Sequence, residues 1–173
     1  MEQLRFRPVE IIESRPTGVT PGEMVDLVRV GERELFVPAG SVTGSISYGT
    51  FKQIPASEVK SIPCGTLVED VKVRDLFTTQ DWLETDKAMR ATNLDFMNGR
   101  CIKPPEAYPE VIRNKPALIL GDGNHRAGLS LANDLDKIDI VLRLMPQFTL
   151  DRVKILSILA LAKKHWDILK GLV

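Results

Sequence analysis

Residues 117–131 read ALILGDGNHRAGLSL, and this segment organises the prediction for the whole chain. It opens with an unbroken apolar run, which is typical of a strand buried on both faces of a sheet. Gly121 and Gly123 interrupt that run, and Ala127 and Leu131 follow at the four-residue spacing of a helix. The sequence therefore predicts a strand, a tight glycine turn and the amino terminus of a helix.

The predicted turn has the composition of an anion-binding site. The first backbone N–H groups of a helix have no intrahelical partner, and together with the helix dipole they attract phosphate. Gly121 and Gly123 are expected to remove Cβ atoms that would block a ligand and to allow a positive φ. His125 and Arg126 add side-chain donors, and arginine suits bidentate phosphate contact. The predicted phosphate-binding residues are Gly121, Gly123, Asn124, His125 and Arg126.

Asp122 needs its own explanation because a phosphate repels a neighbouring carboxylate. It can hold Mg²⁺, accept a proton from an attacking hydroxyl or water, or cap the helix. The other charged groups also have structural interpretations: His125 as a hydrogen-bonded structural histidine, and Arg126 as a surface salt bridge. We predict Asp122, His125 and Arg126 as catalytic residues and Asp122 as a metal ligand. The turn matches neither GxGxxG nor GxxxxGK[ST], so the usual dinucleotide and Walker motifs are not supported.

The flanking sequence predicts an α/β (α+β) protein. Residues 1–57 mix β-branched runs with turn formers, which predicts short antiparallel strands, and the small, hydroxyl-rich stretch 40–49 predicts a flexible or substrate-covering loop. Residues 58–148 alternate strands with helices. The predicted strands are 9–13, 24–30, 34–37, 67–76, 117–120 and 138–145, and the predicted helices are 79–96 and 125–135. Prolines at 104, 105 and 109 fix an extended path.

The segment from Thr149 to Val173 is predicted to be one amphipathic helix. Apolar residues recur at helical spacing, and Thr149 can cap the helix. The apolar positions are Ile155, Ile158, Leu159, Ala162, Trp166 and Leu169. Two uses of that face remain open: packing into the core of the chain, or forming a homodimer.

Composition limits the class of protein. The chain has 173 residues, 43% apolar and 27% charged, so it can bury a core without disulfides. Its formal net charge is zero, which argues against a surface coated with phosphate-binding lysine and arginine but allows a local basic groove.

Cys64 and Cys101 lack zinc-ligand spacing. The amino terminus has no apolar signal core, and the apolar run 155–162 is too short to span a bilayer, so we expect a cytoplasmic protein without membrane contact.

The turn also resembles a known signature. The sequence DGNHR at 122–126 is similar to the D-G-x-H-R motif of the ParB/sulfiredoxin-like superfamily. Around it, 71–80 resembles the opening strand of that family, 99–105 the segment before its central strand, and 138–144 the strand after the signature helix. The resemblance covers about residues 67–145.

The resemblance implies a ParB/sulfiredoxin-like domain over 58–148, a β-rich extension over 1–57 and a C-terminal helix over 149–173. Asn124 stands where sulfiredoxins carry their reactive cysteine, so that activity is not carried over. The small members that remain are nucleotide-dependent phosphotransferases, such as free-serine kinases, and ParB-like nucleases or nucleotidases. They imply a protein that cleaves or transfers a phosphoryl group with Mg²⁺ and a nucleoside triphosphate or diphosphate, using Asp122 in catalysis.

Two further expectations follow from the same family. Its phosphotransferases also use a glutamate from an earlier segment, for which Glu69 and Glu84 are candidates. The alternative function is a non-catalytic module that binds DNA or a nucleotide in plasmid, phage or chromosome maintenance.

Overall fold

The computed structural model describes residues 6–16, 21–83, 104–143 and 154–170. They form an α+β structure with a large mixed sheet, a small antiparallel sheet and a few helices. The strands are β1 (Arg7–Pro8), β2 (Glu10–Pro16), β3 (Met24–Val30), β4 (Arg33–Pro38), β5 (Gly44–Ser47), β6 (Thr66–Lys72), β7 (Phe77–Thr78), β8 (Glu106–Ile112), β9 (Lys115–Asp122), β10 (Lys137–Leu142) and β11 (Leu156–Ser157). The helices are α1 (Tyr48–Lys52), α2 (Asn124–Ala132), α3 (Ile158–Lys164) and α4 (Trp166–Lys170), with 3-10 turns at Ala56–Ser61 and Val73–Asp75.

The large sheet carries the predicted strand 117–120 in its interior. Its order is β1-β5-β6-β10-β8-β9-β7-β11, and it contains both parallel and antiparallel pairs. Strand β9 pairs antiparallel with β8 and parallel with β7. The β8–β9 hairpin turns at Arg113 and Asn114, whose φ angles of 51° and 62° are those of a two-residue type I′ turn. The carboxyl ends of β7 and β9 therefore meet at one edge of the sheet.

Both faces of the large sheet are covered. Val68 and Ile140 pack into the main core with the helices, whereas their chain neighbours Leu67 and Val141 pack against Val28 of the small sheet. Successive residues of a strand point to opposite faces, so the helices lie on one face and the small sheet on the other. The helices contribute Phe51, Leu129, Ile158, Leu161 and Leu169 to the main core, each at most 1% exposed.

The small sheet is joined to the large one by ion pairs as well as by apolar packing. Arg33, at the start of β4, binds Asp139 of β10 through two contacts of 2.9 and 3.1 Å. Its Nη2 lies 3.5 Å from Glu69 of β6, which also binds Arg7. Planar two-point contacts of this kind fix orientation as well as adding energy. The small sheet is therefore anchored at its β3–β4 turn.

A buried carboxylate stabilises the small sheet internally. Asp26 is 5% exposed and accepts hydrogen bonds from Ser14 Oγ at 2.6 Å and from the backbone N–H of Gly40 at 2.9 Å. These bonds, the one from Ser14 foremost, hold the pKa of Asp26 below its ordinary value. The carboxylate thus links β2, β3 and the loop after β4.

The amino-terminal prediction is confirmed in its strands and wrong in one loop. The strands predicted at 9–13, 24–30 and 34–37 correspond to β2, β3 and β4, but Gly44–Ser47 is the strand β5 and not a loop. Ile46 is 1% exposed there, and pairing with β6 outweighs the weak strand preference of the surrounding serines and glycines. Residues 1–57 thus supply the small sheet and also β1 and β5 of the large sheet.

Two helix predictions also need correction. Of the helix predicted at 79–96, residues 79–83 are described and are not helical, and the remainder lies outside the described residues. The hydroxyl of Thr78 accepts the N–H of Gln80 at 3.0 Å, as a helix N-cap would, but residues 79–83 do not continue into a helix.

The prediction of a single helix over 149–173 is wrong for residues 154–170, which are the part of this segment that the structure describes. Residues 156–157 form β11, and two short helices follow that are separated at His165. Ser157 is the reason for the late start, because its hydroxyl caps α3 by accepting the N–H of Leu159 at 3.2 Å. The predicted cap, Thr149, lies outside the described residues. The predicted apolar face is confirmed, since Ile158, Ala162 and Leu169 are buried in the chain's own core.

None of the helices described is long and apolar enough to cross a membrane.

Candidate functional site

The predicted strand, glycine turn and helix are present at the edge of the large sheet. Strand β9 ends at Asp122 and α2 begins at Asn124, with Gly123 between them as the N-cap in the left-handed region at φ 97°. Serine side chains cap α1 and α3, whereas the N-cap of α2 is a glycine, which has no side chain to accept a hydrogen bond. The N–H groups of its first turn have no acceptor inside the helix. This end of α2 therefore carries the positive end of the helix dipole, with Asp122, His125 and Arg126 around it.

The expected positive φ is confirmed at Gly123 and wrong at Gly121, and both glycines also serve packing. Gly121 does not have a positive φ, and a Cβ on it would lie 2.6 Å from the ring of Tyr108. A Cβ on Gly123 would lie 2.6 Å from Cβ of Pro105. The space that was expected to admit a ligand is thus occupied by the chain itself.

Asn124 is held by a buried hydrogen bond. Its Oδ1 accepts the hydroxyl of Thr78 at 2.5 Å, and the two residues are 8% and 0% exposed. This bond joins the carboxyl end of β7 to the first residue of α2. The side chain of Asn124 is therefore committed to positioning the helix, and its contribution to an anion site is its backbone N–H.

Asp122 and Arg126 form an ion pair across the turn. Arg126 Nη2 lies 3.3 Å from Asp122 Oδ2, and the exposed fractions of the two side chains are 8% and 49%. Arg126 is thus buried and does not form the surface salt bridge considered as its structural alternative. A buried guanidinium needs a partner, and Asp122 supplies one. His125 lies on the same first turn and is half-buried.

A second acidic residue lies beside Asp122, and the sequence analysis missed it. The hairpin register pairs Glu106 with Asp122, next to a bulge in the ladder. Glu106 Oε1 accepts the Nε–H of Arg143 at 3.2 Å. The adjacent strands β8 and β9 therefore each carry a carboxylate that is paired with an arginine, Glu106 on β8 and Asp122 on β9. Counting outward from a turn at Arg113 and Asn114 would have paired Glu106 with Gly121, because the bulge that moves it opposite Asp122 has no sequence signal here, and the turn itself lacks the usual glycine.

The glutamates proposed from the family resemblance are not brought to the turn within the described residues. Glu69 is 7% exposed and engaged by Arg7 and Arg33 on β6, and two strands, β10 and β8, separate it from β9. Glu84 lies outside the described residues. The structure thus brings Asp122, Asn124, His125 and Arg126 together and leaves Glu69 in the anchor of the small sheet.

Metal-binding groups are sparse around the turn. Among the residues that the structure describes, no three or more His, Cys, Asp or Glu side chains are grouped so as to hold a metal ion. Cys64 is an exposed free thiol, and Cys101 lies outside the described part. Mg²⁺ is often held by one or two carboxylates together with substrate phosphates. Asp122, whose side chain is 49% exposed beside the start of α2, could supply one such carboxylate.

Comparison with protein-family models gave no match, and comparisons with curated proteins and with solved structures gave none either. The interpretation of the site therefore depends on its own geometry.

Proposed function

We propose that the protein binds the phosphate groups of a nucleotide at the amino end of α2. The observation that carries the proposal is the helix start at Gly123, an N-cap residue in the left-handed region, with the buried Arg126 on the same first turn. We infer that the backbone N–H groups, the helix dipole and the guanidinium of Arg126 act together on one anion at this helix start. An anion there is stabilised by each of them.

The surroundings favour a rigid site. Thr78 fixes Asn124, Pro105 packs against Gly123, and Tyr108 packs against Gly121. Donors that are already held in place lose little entropy when they bind a ligand. The D-G-x-H-R resemblance to ParB/sulfiredoxin-like proteins supports a nucleotide as the source of the phosphate. The large mixed sheet with few helices is compatible with such a domain.

The proposed reaction is cleavage or transfer of a phosphoryl group of that nucleotide. Mg²⁺ would neutralise phosphate charge, with Asp122 as its protein ligand or as the base. The first-turn N–H groups, His125 and Arg126 would stabilise the negative charge that develops on transfer. The carboxylate of Asp122 also orients Arg126. The role of Asp122 in catalysis therefore has to be separated by experiment from its role as the partner of Arg126.

Binding is tested by thermal unfolding with ATP, ADP, CTP or GTP, each with Mg²⁺. A ligand that binds only the folded state at 100 times its Kd adds about 2.7 kcal/mol, so at least one nucleotide should raise the Tm. His125→Ala should weaken that nucleotide about 10-fold, because it removes a first-turn donor. Asp134→Asn, just beyond the other end of α2, is the matched control and should leave affinity unchanged. No shift with any of the four nucleotides would contradict the proposal.

Catalysis is tested separately with Asp122→Asn. This variant keeps a hydrogen-bond acceptor for Arg126 but removes the negative charge. We expect phosphate release to fall at least about 100-fold while nucleotide affinity stays within a few-fold. Turnover equal to that of the unaltered protein would remove Asp122 from catalysis and leave phosphate binding intact.

One observation favours the second candidate, a module that binds DNA or a nucleotide without catalysis. The ion pair with Arg126 partly neutralises Asp122, and such a carboxylate is a weaker base and metal ligand. In that case DNA should be retained with an affinity that falls steeply as salt rises, and no nucleotide should be hydrolysed. Hydrolysis that depends on Asp122 would exclude this candidate.

A further inference from the structure

Strand β2 is an open edge of the small sheet in the described structure. The strand order is β2-β3-β4, and all seven residues of β2 are exposed. Ile11 and Ile12 are 56% and 39% exposed, although both are large and apolar. An edge strand presents unpaired N–H and C=O groups that can template another strand. The residues of β2 therefore determine which strand can pair with this edge.

The charges along β2 are ordered for antiparallel pairing with a second copy of the same strand. Glu10 lies at the amino end and Arg15 near the carboxyl end. With a two-fold axis between Ile12 and Glu13, Glu10 of each copy lies opposite the partner's Arg15. The same register places Ile11 opposite the partner's Ser14. Parallel pairing in register would instead set like charges side by side, which is unfavourable.

A bulge in β2 makes this register geometrically consistent. Glu10 pairs with Arg29 and Arg15 with Val25 on β3, and because these β3 residues are four apart, Glu10 and Arg15 share a face. They are five apart on β2, so without a bulge they would point to opposite faces. The irregularity between Ile11 and Glu13 supplies the extra residue. A two-fold axis perpendicular to the sheet therefore brings both ion pairs to the same face.

We propose that β2 is the interface of a symmetric dimer of this chain, in which two small sheets join into one continuous sheet. The order of charges along the strand argues for a second copy over an unrelated strand. One strand pair buries less than the roughly 1,200 Å² of a standard interface, so the dimer is weak and needs high concentration. The apolar face of α3 and α4 is occupied by the core and takes no part in it.

The test is analytical ultracentrifugation of the full chain from about 5 to 500 μM, a range suited to a weak dimer. The unaltered chain should dimerise reversibly. Glu10→Arg and Arg15→Glu should each weaken the dimer at least about 10-fold, because like charges then face each other twice. The double variant E10R/R15E restores the opposite charges and should return the Kd to within about 3-fold.

Glu34→Arg is the matched control. Glu34 binds Arg29 at 3.2 Å, as Glu10 does at 3.3 Å, but it lies on β4 and not on the β2 edge. It should lose the Arg29 contact in the same way and leave the dimer unchanged, and thermal unfolding should show that every variant folds. A mass that stays monomeric up to 500 μM would overturn the proposal. So would a dimer insensitive to Glu10→Arg, a double variant that is not rescued, or equal weakening by Glu34→Arg.

Discussion

At the scale of single residues, the start of α2 depends on one buried hydroxyl. Thr78 donates to Asn124 and accepts from the backbone of Gln80, all at the sheet edge that carries the candidate site. The two bonds connect a strand, a helix and the segment that leaves the strand. Any loosening of this point would move the first-turn donors on which the proposed phosphate binding depends.

Thr78→Val tests that dependence. Valine has nearly the same shape but cannot donate to Asn124, and leaving a buried polar group unpaired costs about 1–3 kcal/mol. We expect the free energy of unfolding in urea to fall by that amount. Thr50→Val is the matched control, because the hydrogen bond between the hydroxyls of Ser47 and Thr50 lies at an exposed site, and it should change stability by less than about 0.5 kcal/mol. Equal effects of the two substitutions would contradict the assigned role.

Gly121→Ala separates packing from ligand access. The backbone at Gly121 suits an L-residue, so the cost comes from the Tyr108 ring 2.6 Å from the new Cβ. Overpacking of this kind destabilises by about 1–3 kcal/mol. Most of that loss should disappear in the Tyr108→Leu background, as measured by a double-mutant cycle in urea. Full stability combined with lost nucleotide binding would show instead that the glycine admits the ligand.

The sequence predicts the residues of the turn better than their contacts. The alternation of buried strand, glycine and helix places Asp122, Asn124 and Arg126 together, because that order depends on local periodicity. It cannot show that Tyr108 and Pro105 fill the glycine positions, or that Glu106 faces Asp122. Those contacts depend on the hairpin register, which a turn without glycine does not reveal.

At the scale of elements, the β8–β9 hairpin stores strain in its turn. Arg113 and Asn114 both adopt φ values in the left-handed region, which glycine adopts readily and arginine does not. Replacing the pair by Asn-Gly should raise the free energy of unfolding by about 0.5–1 kcal/mol. Arg113→Ala keeps the unfavourable backbone and should give no gain. Destabilisation by Asn-Gly in chemical denaturation would contradict this account of the turn.

The free energy of unfolding should fall in acid because Asp26 of the small sheet becomes protonated. Its two hydrogen bonds lower the folded pKa, so the unfolded state binds the proton more tightly. The stabilisation is present in full above the ordinary pKa of about 4 and is lost as pH falls through the lowered folded pKa. Asp26→Asn should therefore reduce the unfolding free energy more at pH 7 than at pH 2.5. Urea titrations at both pH values measure the difference, and an equal effect at both would contradict it.

Element boundaries were predictable only where local signals agree with tertiary packing. The spacing of Ile158, Ala162 and Leu169 predicts the buried face of the C-terminal region. The same spacing does not reveal that the first helix begins only after Ser157, or that the helical region is divided into two helices at His165. Strand β5 was missed for a related reason, because its small residues become a strand only through pairing with β6.

At the scale of the whole molecule, the large sheet assembles the candidate site from distant parts of the chain. Parallel pairing of β7 with β9 brings Thr78 to Asn124, and antiparallel pairing with β8 brings Glu106 to Asp122. The small sheet covers the opposite face and is anchored there by Arg33. The helix start is thereby fixed on a rigid support, which is the arrangement that a preorganised anion site requires.

The most direct test of the central claim is to follow the backbone amide signals of Gly123, Asn124 and His125 by ¹⁵N NMR. The chain is titrated with the nucleotide that raises its Tm most. Binding of phosphate at the amino end of α2 predicts that these three amides show the largest shifts and saturate together, with the same Kd as the thermal measurement. If the nucleotide binds and these signals stay in place while others move, the proposed site is wrong.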